Sequence, residues 1–167
     1  MSTTKKLVIV LAVFLACVGL GVTFMGEAKQ DPVEHTMKAY VLTKAGDGRE
    51  SDVVIRGTFM DFLPFQGDDH LSFEGPGEGI FLKGNKMPLD RIIFDGKAAY
   101  TSVESGANEV FIKKDGRFIC VMFEGGNSML VAPARNKTEA KAQLQKFLGD
   151  NPKMHVSKVE AITDYIE

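Results

Sequence analysis

The chain of 167 residues has no tryptophan, only two cysteines and no excess of positive charge. Its formal net charge is −2 and its isoelectric point is about 5.9, so the basic surface that nucleic-acid-binding proteins need is missing. Cys17 lies in a long apolar run and Cys120 in a predicted strand of the polar part. Because these thiols are expected in different solvents, we predict no intramolecular disulfide, and stability must come from burial.

The spacings typical of resident metal or haem sites are also missing. The three histidines, His35, His70 and His155, are far apart in sequence, and neither a His-x-x-x-His nor a Cys-x-x-Cys spacing occurs. The neighbours of Cys120 are all apolar, which favours a buried, inert thiol over a nucleophile. We therefore predict no cofactor.

One long run without charge is present, at Leu7–Met25. As a helix its 19 residues would reach about 28 Å, close to the roughly 30 Å hydrocarbon thickness of a bilayer. Twelve of them are Leu, Ile, Val or Phe, which favours insertion by roughly 4 to 7 kcal/mol. The sequence therefore predicts a single transmembrane helix, a signal anchor over residues 7–26, in contact with membrane lipid through residues 7–25.

The charges around this run predict its orientation. Lys5 and Lys6 precede it, so the positive-inside rule places residues 1–6 in the cytoplasm and the rest across the membrane. Residues 27–36 are polar and are predicted to form a tether, followed by an extracytoplasmic domain over 37–167. Two alternatives remain, cleavage after Ala28 and lipidation of Cys17, and both leave the domain on the same periplasmic or extracytoplasmic side of the membrane.

The domain itself is predicted to be mainly β, as a β-sandwich or a partly closed β-barrel of seven to nine short strands. Its 17 glycines suit a domain with many tight turns. The clearest local signals are two hairpins, one over 91–101 around Asp95-Gly96, the other joining 109–113 to 117–123.

One α-helix is predicted in the C-terminal region. Asn136 can cap it, with Glu139 reaching back to the backbone N–H of the cap residue, and Gly149 is expected to end it. Asn136-Lys137-Thr138 also fits a glycosylation acceptor, but we favour the cap. The final segment, residues 154–166, is predicted to be a strand.

The densest polar cluster is Asp68, Asp69 and His70, with Asp61 nearby in sequence. Carboxylates at close spacing suit Ca²⁺ or Mg²⁺, so these residues are weak candidates for a divalent-metal site. The cluster does not have the spacing of a known calcium loop, and a solvated acidic loop is the favoured interpretation.

An apolar, aromatic-rich stretch surrounds Pro64 and offers a second candidate surface. It is predicted to be core with one covering loop, or else an exposed lip that docks a partner. The partner-contact candidates are Phe59, Phe62, Leu63 and Phe65.

The layout of one N-terminal anchor before a small β-domain resembles the haem chaperones of cytochrome c maturation, and residues 54–59 are similar to an early barrel strand of that family. The family attaches haem through a His-x-x-x-Tyr motif. His35 and Tyr40 have a different spacing, so the haem role does not carry over.

The leading functional hypothesis is a membrane-anchored, non-enzymatic accessory or assembly protein whose β-domain contacts another membrane or envelope protein. The first alternative is a small β-barrel that binds a lipid or cofactor. The second is a divalent-metal-dependent enzyme that uses the cluster at residues 68–70.

Overall fold

A computed structural model describes residues 15, 29–62, 68–94, 100–106, 108–151, 154 and 156–166. Among these residues no helix is both long enough and apolar enough to cross a membrane. The run at Leu7–Met25 lies outside the described residues except for Leu15, so the anchor stays a prediction from sequence.

The described residues form ten strands and two α-helices, with a short 3-10 turn at Glu124–Gly126. The strands are β1 (Lys29–Thr43), β2 (Gly48–Asp61), β3 (His70–Ser72), β4 (Gly79–Leu82), β5 (Asn85–Lys86), β6 (Arg91–Ile93), β7 (Tyr100–Ser105), β8 (Asn108–Lys113), β9 (Ile119–Met122) and β10 (Ser128–Ala132). The helices are α1 (Lys137–Asp150) and α2 (Val156–Thr163).

All strands belong to one antiparallel sheet that curls into a half-barrel. The main path runs β5-β4-β2-β1-β10-β9-β8-β7, while β3 pairs with β2 and with β6 beside that path. The mainly β prediction is confirmed, and of its two alternatives the partly closed barrel describes the fold. The strand number exceeds the prediction, and β3 and β5 are only three and two residues long and carry little signal of their own.

The apolar residues form two cores on opposite faces of the sheet. The inner core collects residues of β1, β2, β4, β6, β8, β9 and β10, which can meet only on the face around which the sheet curls. The outer core lies between the sheet and the helices, where Leu144 and Phe147 of α1 and Ile162 of α2 are buried. Strands β8 to β10 are covered on both faces, so their sequences are continuously apolar instead of alternating.

The prediction of a tether over residues 27–36 is wrong from Lys29 onward, because Lys29–Thr43 is one long strand paired with β2 along nearly its whole length. From Asp31 to Met37 the odd-numbered residues are half-buried, and the even-numbered ones are exposed. Two of the half-buried positions hold the polar residues Asp31 and His35. The alternation of buried and exposed positions therefore does not show as an alternation of apolar and polar residues in the sequence.

The predicted helix is present, and its N-cap is confirmed. The Asn136 side-chain oxygen accepts a hydrogen bond from the Glu139 backbone N–H at 2.9 Å. The Glu139 carboxylate reaches one residue further back than predicted and accepts from the Arg135 N–H at 2.9 Å. The helix also continues past Gly149 to Asp150.

The strand predicted for residues 154–166 is wrong, because Val156–Thr163 is helix α2. Val159, Ile162 and Ile166 are at helical spacing and face the protein. Their β-branched side chains favour strands in isolation, but burial against the outer core decides the conformation. The Tyr165 hydroxyl adds a hydrogen bond to the Gly126 carbonyl at 2.7 Å.

The two predicted hairpins have different outcomes. Strands β8 and β9 pair as predicted, with Val110 opposite Val121. For the hairpin predicted over 91–101, Arg91–Ile93 pairs with β3 and Tyr100–Ser105 pairs with β8. Its predicted turn at Asp95-Gly96 lies outside the described residues.

Candidate functional site

The cluster Asp68, Asp69 and His70 does not converge on a common point. One Asp69 oxygen accepts from the Phe62 backbone N–H at 2.9 Å, and the other accepts from the Lys114 ammonium group. The His70 ring turns toward the Asp68 carbonyl, with Nδ1 3.1 Å from that oxygen. In the part of the chain that the structure describes, no three His, Cys, Asp or Glu side chains are placed to hold a metal ion.

Asp69 and Lys114 form a half-buried ion pair that pins the start of β3 to the turn between β8 and β9. Their side chains are only 14% and 31% exposed, and the Lys114 Nζ also lies 5.3 Å from the centre of the Phe59 ring. Desolvation alone would raise the pKa of Asp69, but the hydrogen bonds from Lys114 and the Phe62 N–H, together with the Lys114 charge, hold that pKa below its ordinary value. The Asp69 carboxylate is therefore ionised and already bonded to Lys114 and to the Phe62 N–H, unlike the carboxylate of a solvated loop.

The aromatic stretch around Pro64 belongs largely to the core. Phe59 packs edge-to-face on Phe94 with ring centroids 6.0 Å apart, and Leu71 and Phe73 are buried. Phe62 is half-buried and stacks on His70 at 5.4 Å. Leu63 and Phe65 lie outside the described residues.

Cys120 is buried in the outer core, and burial strongly raises the pKa of its thiol. The predicted burial of this thiol is confirmed. His35, predicted in the tether, instead lies in β1 with Nε2 3.0 Å from the Asp115 carbonyl oxygen.

The strand ends at the other end of the half-barrel from Asp69 form a second candidate site. Here a pocket of about 320 Å³ opens where β1 ends, β2 begins and the β4–β5 hairpin turns. We call it the end pocket. Its lining residues are Val41, Arg49, Ser51, Leu82, Lys83, Asn85, Lys86, Met87, Pro88, Asn108, Phe123 and Leu130.

The floor of the end pocket is apolar because it lies at the margin of the inner core, where buried residues give way to half-buried ones. Val41, Met87 and Leu130 are members of that core, and Leu82 and Phe123 pack against it. The floor is thus built by strands whose inner faces are apolar because they form the core. No additional sequence pattern marks these residues as part of a pocket.

The rim of the end pocket is basic. Arg49 lies directly opposite Val41 in the β1–β2 register, and Lys83 comes from the turn of the β4–β5 hairpin. Lys86 also borders the pocket, but it pairs with Phe81 and its stem lies over Gly79, so its side chain extends along the other face of the sheet. No described carboxylate lines the pocket, and within the described ranges neither Arg49 nor Lys83 forms an ion pair. Two positive charges therefore border an apolar floor without a paired carboxylate.

The backbone of the β4–β5 hairpin places its two lysines. Lys83 and Gly84 have φ of 50° and 83°, the positive values that a tight two-residue hairpin turn requires. Across the hairpin, the Lys86 stem lies over Gly79, where an added Cβ would come within 2.7 Å of the lysine Cε. Glycine at 79 therefore lets the Lys86 side chain lie flat across the sheet.

A buried hydroxyl lies next to the end pocket. Ser105 is 1% exposed and its Oγ has no hydrogen-bond partner among the described residues. It is paired across β7–β8 with the pocket residue Asn108, and cross-strand partners share one face of a sheet. The Asn108 side chain is held by the Glu124 N–H, which donates to its Oδ1 at 3.2 Å.

A second, smaller cleft of about 190 Å³ lies between α1 and the β8–β9 hairpin. Tyr100 lines it and donates its hydroxyl to the Asp150 carboxylate at 3.2 Å. Burial first, and then this carboxylate, raises the pKa of Tyr100. The cleft is small and mixed in polarity, and we assign it no role.

Comparison with protein families, curated proteins and solved structures found no match to this chain. The candidate site therefore depends on geometry alone. Sequence reasoning missed the end pocket, and the only local signal was the run Leu82-Lys83-Gly84-Asn85-Lys86-Met87, in which lysines flank a tight turn between apolar residues.

Proposed function

We propose that this chain is a membrane-anchored, non-enzymatic accessory protein whose β half-barrel binds a small amphiphilic ligand in the end pocket. The observation that carries the proposal is an apolar pocket floor left open at one end of the barrel. Ligand sites are typically concave and mainly apolar, with a few polar groups that fix orientation. The end pocket has this composition.

The size of the end pocket suits a single alkyl chain. At about 30 Å³ for a group of water size, about ten such groups fit in its 320 Å³. Each methylene transferred from water contributes about 0.8 kcal/mol. Because the pocket is open and association itself is costly, we expect dissociation constants in the micromolar range.

The non-enzymatic part of the proposal is supported by the lining. Among its described residues, cations and amides surround the apolar floor, and no nucleophile lies beside a base. The Asp69 carboxylate, which a metal-dependent enzyme would use, is held by Lys114 at the opposite end of the barrel.

The membrane attachment is supported by the sequence at Leu7–Met25 and by the lysines before it. A reporter enzyme that works only outside the cytoplasm, fused to the C-terminus, is expected to be active. Activity only of a cytoplasmic reporter would contradict this orientation.

Photolabelling tests the binding site directly. The full chain, held in phosphatidylcholine nanodiscs, is irradiated with dodecanoate and with dodecanol that each carry a diazirine, and the labelled peptides are mapped by mass spectrometry. We expect labelling near Val41, Met87 or Leu130 by at least one probe. Label confined to residues outside the end pocket, with both probes, would contradict the proposal.

A matched pair of variants sharpens this test. Ser51→Leu fills the wall of the end pocket and should reduce pocket labelling. Thr36→Leu introduces the same side chain on the exposed face of β1 and should leave labelling unchanged. Thermal melts of both variants separate loss of binding from loss of folding.

A second candidate function, docking of an envelope protein, is tied to the segment that follows β2. Phe62 is half-buried, directly follows β2, and is next to Leu63 and Phe65 of the predicted contact set in sequence. Changing Phe62 and Phe65 to Asp should abolish co-purification of a partner from membranes. Retained co-purification would reject this surface.

A further inference from the structure

We infer that the ligand of the end pocket is a single-chain amphiphile with an anionic headgroup, either a carboxylate or a phosphate. This inference rests on the proposed function, because it names the chemistry of the ligand in the same pocket. It is carried by the two unpaired cations at the rim, Arg49 and Lys83, and by their positions relative to the apolar floor.

The charges of the rim have one sign. Arg49 and Lys83 come from two different hairpins and meet at one opening, with no described carboxylate in the lining. Several other lysines are paired with carboxylates, for example Lys38 with Asp52 at 2.8 Å and Lys44 with Asp164 at 3.0 Å. The rim is therefore a local excess of positive charge on a chain whose net charge is −2.

Each of the two rim cations is next to an apolar residue of the floor. Arg49 faces Val41 across the β1–β2 pair, and Lys83 directly follows the floor residue Leu82 in the chain. A ligand whose chain lies on the floor would therefore leave its headgroup at the level of the cations. An anionic headgroup gains charge-assisted hydrogen bonds there, and the arginine can bind it with two parallel bonds.

The same geometry disfavours amphiphiles with cationic or uncharged headgroups. A cationic headgroup would meet two like charges at the opening. An uncharged alcohol could use the floor but would leave the cations without a counter-charge. Headgroup charge should thus decide affinity, while chain length sets the contribution of the floor.

Competition on the unaltered full chain tests the inference. In phosphatidylcholine nanodiscs, pocket labelling by the diazirine dodecanoate is measured against dodecanoate, dodecyl phosphate, dodecanol and dodecylamine. We expect the two anions to compete at concentrations about tenfold or more below those of the alcohol, with the amine weakest. The order of the two anions assigns the headgroup to a carboxylate or a phosphate.

The outcomes separate the inference from the proposed function. Pocket labelling that dodecanol displaces as well as dodecanoate would overturn the anionic ligand but leave a binding pocket. Stronger competition by dodecylamine would also overturn it. Failure of every probe to label the pocket would overturn both.

Two arginine variants locate the effect. Arg49→Gln removes a rim charge and should weaken competition by dodecanoate several-fold while leaving that by dodecanol unchanged. Arg91→Gln removes the same charge from exposed β6, away from the pocket, and should change neither. Equal effects of the two variants would show that net charge, and not the rim, attracts the anion, and would overturn the inference.

Discussion

The Asp69–Lys114 pair is a half-buried ion pair that joins two distant parts of the half-barrel. It links the start of β3 to the β8–β9 turn, 45 residues away in sequence. The sequence placed Asp69 in an acidic cluster, but its partner is far along the chain, so no local spacing could reveal the pair. The fold converts a candidate metal ligand into a tertiary contact.

Lys114→Met should destabilise the protein by about 1–3 kcal/mol, because it leaves a half-buried carboxylate with one hydrogen bond fewer. Urea unfolding measures the loss. Lys38→Met is the matched control, since both partners of the Lys38–Asp52 pair are more than half exposed. Its effect should be within about 0.5 kcal/mol, and equal losses would contradict the special role of Asp69.

The loss of folding stability at acid pH should depend on the same residue, Asp69. Because the folded-state pKa of Asp69 is lowered, its contribution is present above the ordinary carboxyl pKa of about 3.9 and is lost as the pH falls through the lower folded value. The difference between the parent chain and Asp69→Asn should therefore shrink below about pH 4. A difference that stays constant from pH 7 to pH 3 would contradict this assignment.

Ser105 leads to a prediction of the opposite sign. Its buried hydroxyl has no partner among the described residues, so Ser105→Ala removes a desolvated group without breaking a hydrogen bond. Stability measured in urea should stay the same or rise by up to about 1 kcal/mol. A loss above about 1 kcal/mol would show that the hydroxyl is bonded in solution.

At the scale of elements, a helix or strand could be predicted when the residues that specify it lie close together in sequence. Helix α1 could be predicted because Asn136, Glu139 and the apolar stripe all lie within one segment. The β8–β9 hairpin was predictable for the same reason. Helix α2 was not, because its Val and Ile residues favour strands until the outer core buries them. The first half of β1 was missed because Asp31 and His35 occupy half-buried positions where apolar residues are expected.

The N-cap of α1 can be tested on its own. Asn136→Ala should destabilise the protein by about 1 kcal/mol, since the Glu139 N–H at the first turn loses its acceptor. Asn136→Ser keeps a capping oxygen and should recover most of that loss. Thermal unfolding followed by circular dichroism measures both, and equal melting temperatures for the Ala variant and the parent would reject the cap.

At the scale of the whole molecule, the half-barrel has two unlike ends. At one end the Asp69–Lys114 pair ties loop and turn together, and at the other the inner core is left open under a basic rim. The end pocket could not be predicted from sequence because β1, β2, the β4–β5 hairpin, β8 and the β9–β10 region contribute to it from across the chain. Residues that build the core also build the pocket, so their apolar character carries no separate signal.

The most direct test of ligand binding in the end pocket follows the methionine methyl groups by NMR. Met87 lines the pocket, whereas Met129 is buried on the other face of the sheet, in the outer core. When dodecanoate is added to the ¹³C-methyl-labelled full chain in nanodiscs, the Met87 resonance should shift and saturate while that of Met129 stays in place. A Met87 resonance that does not respond, or one that moves only together with Met129, would contradict the account.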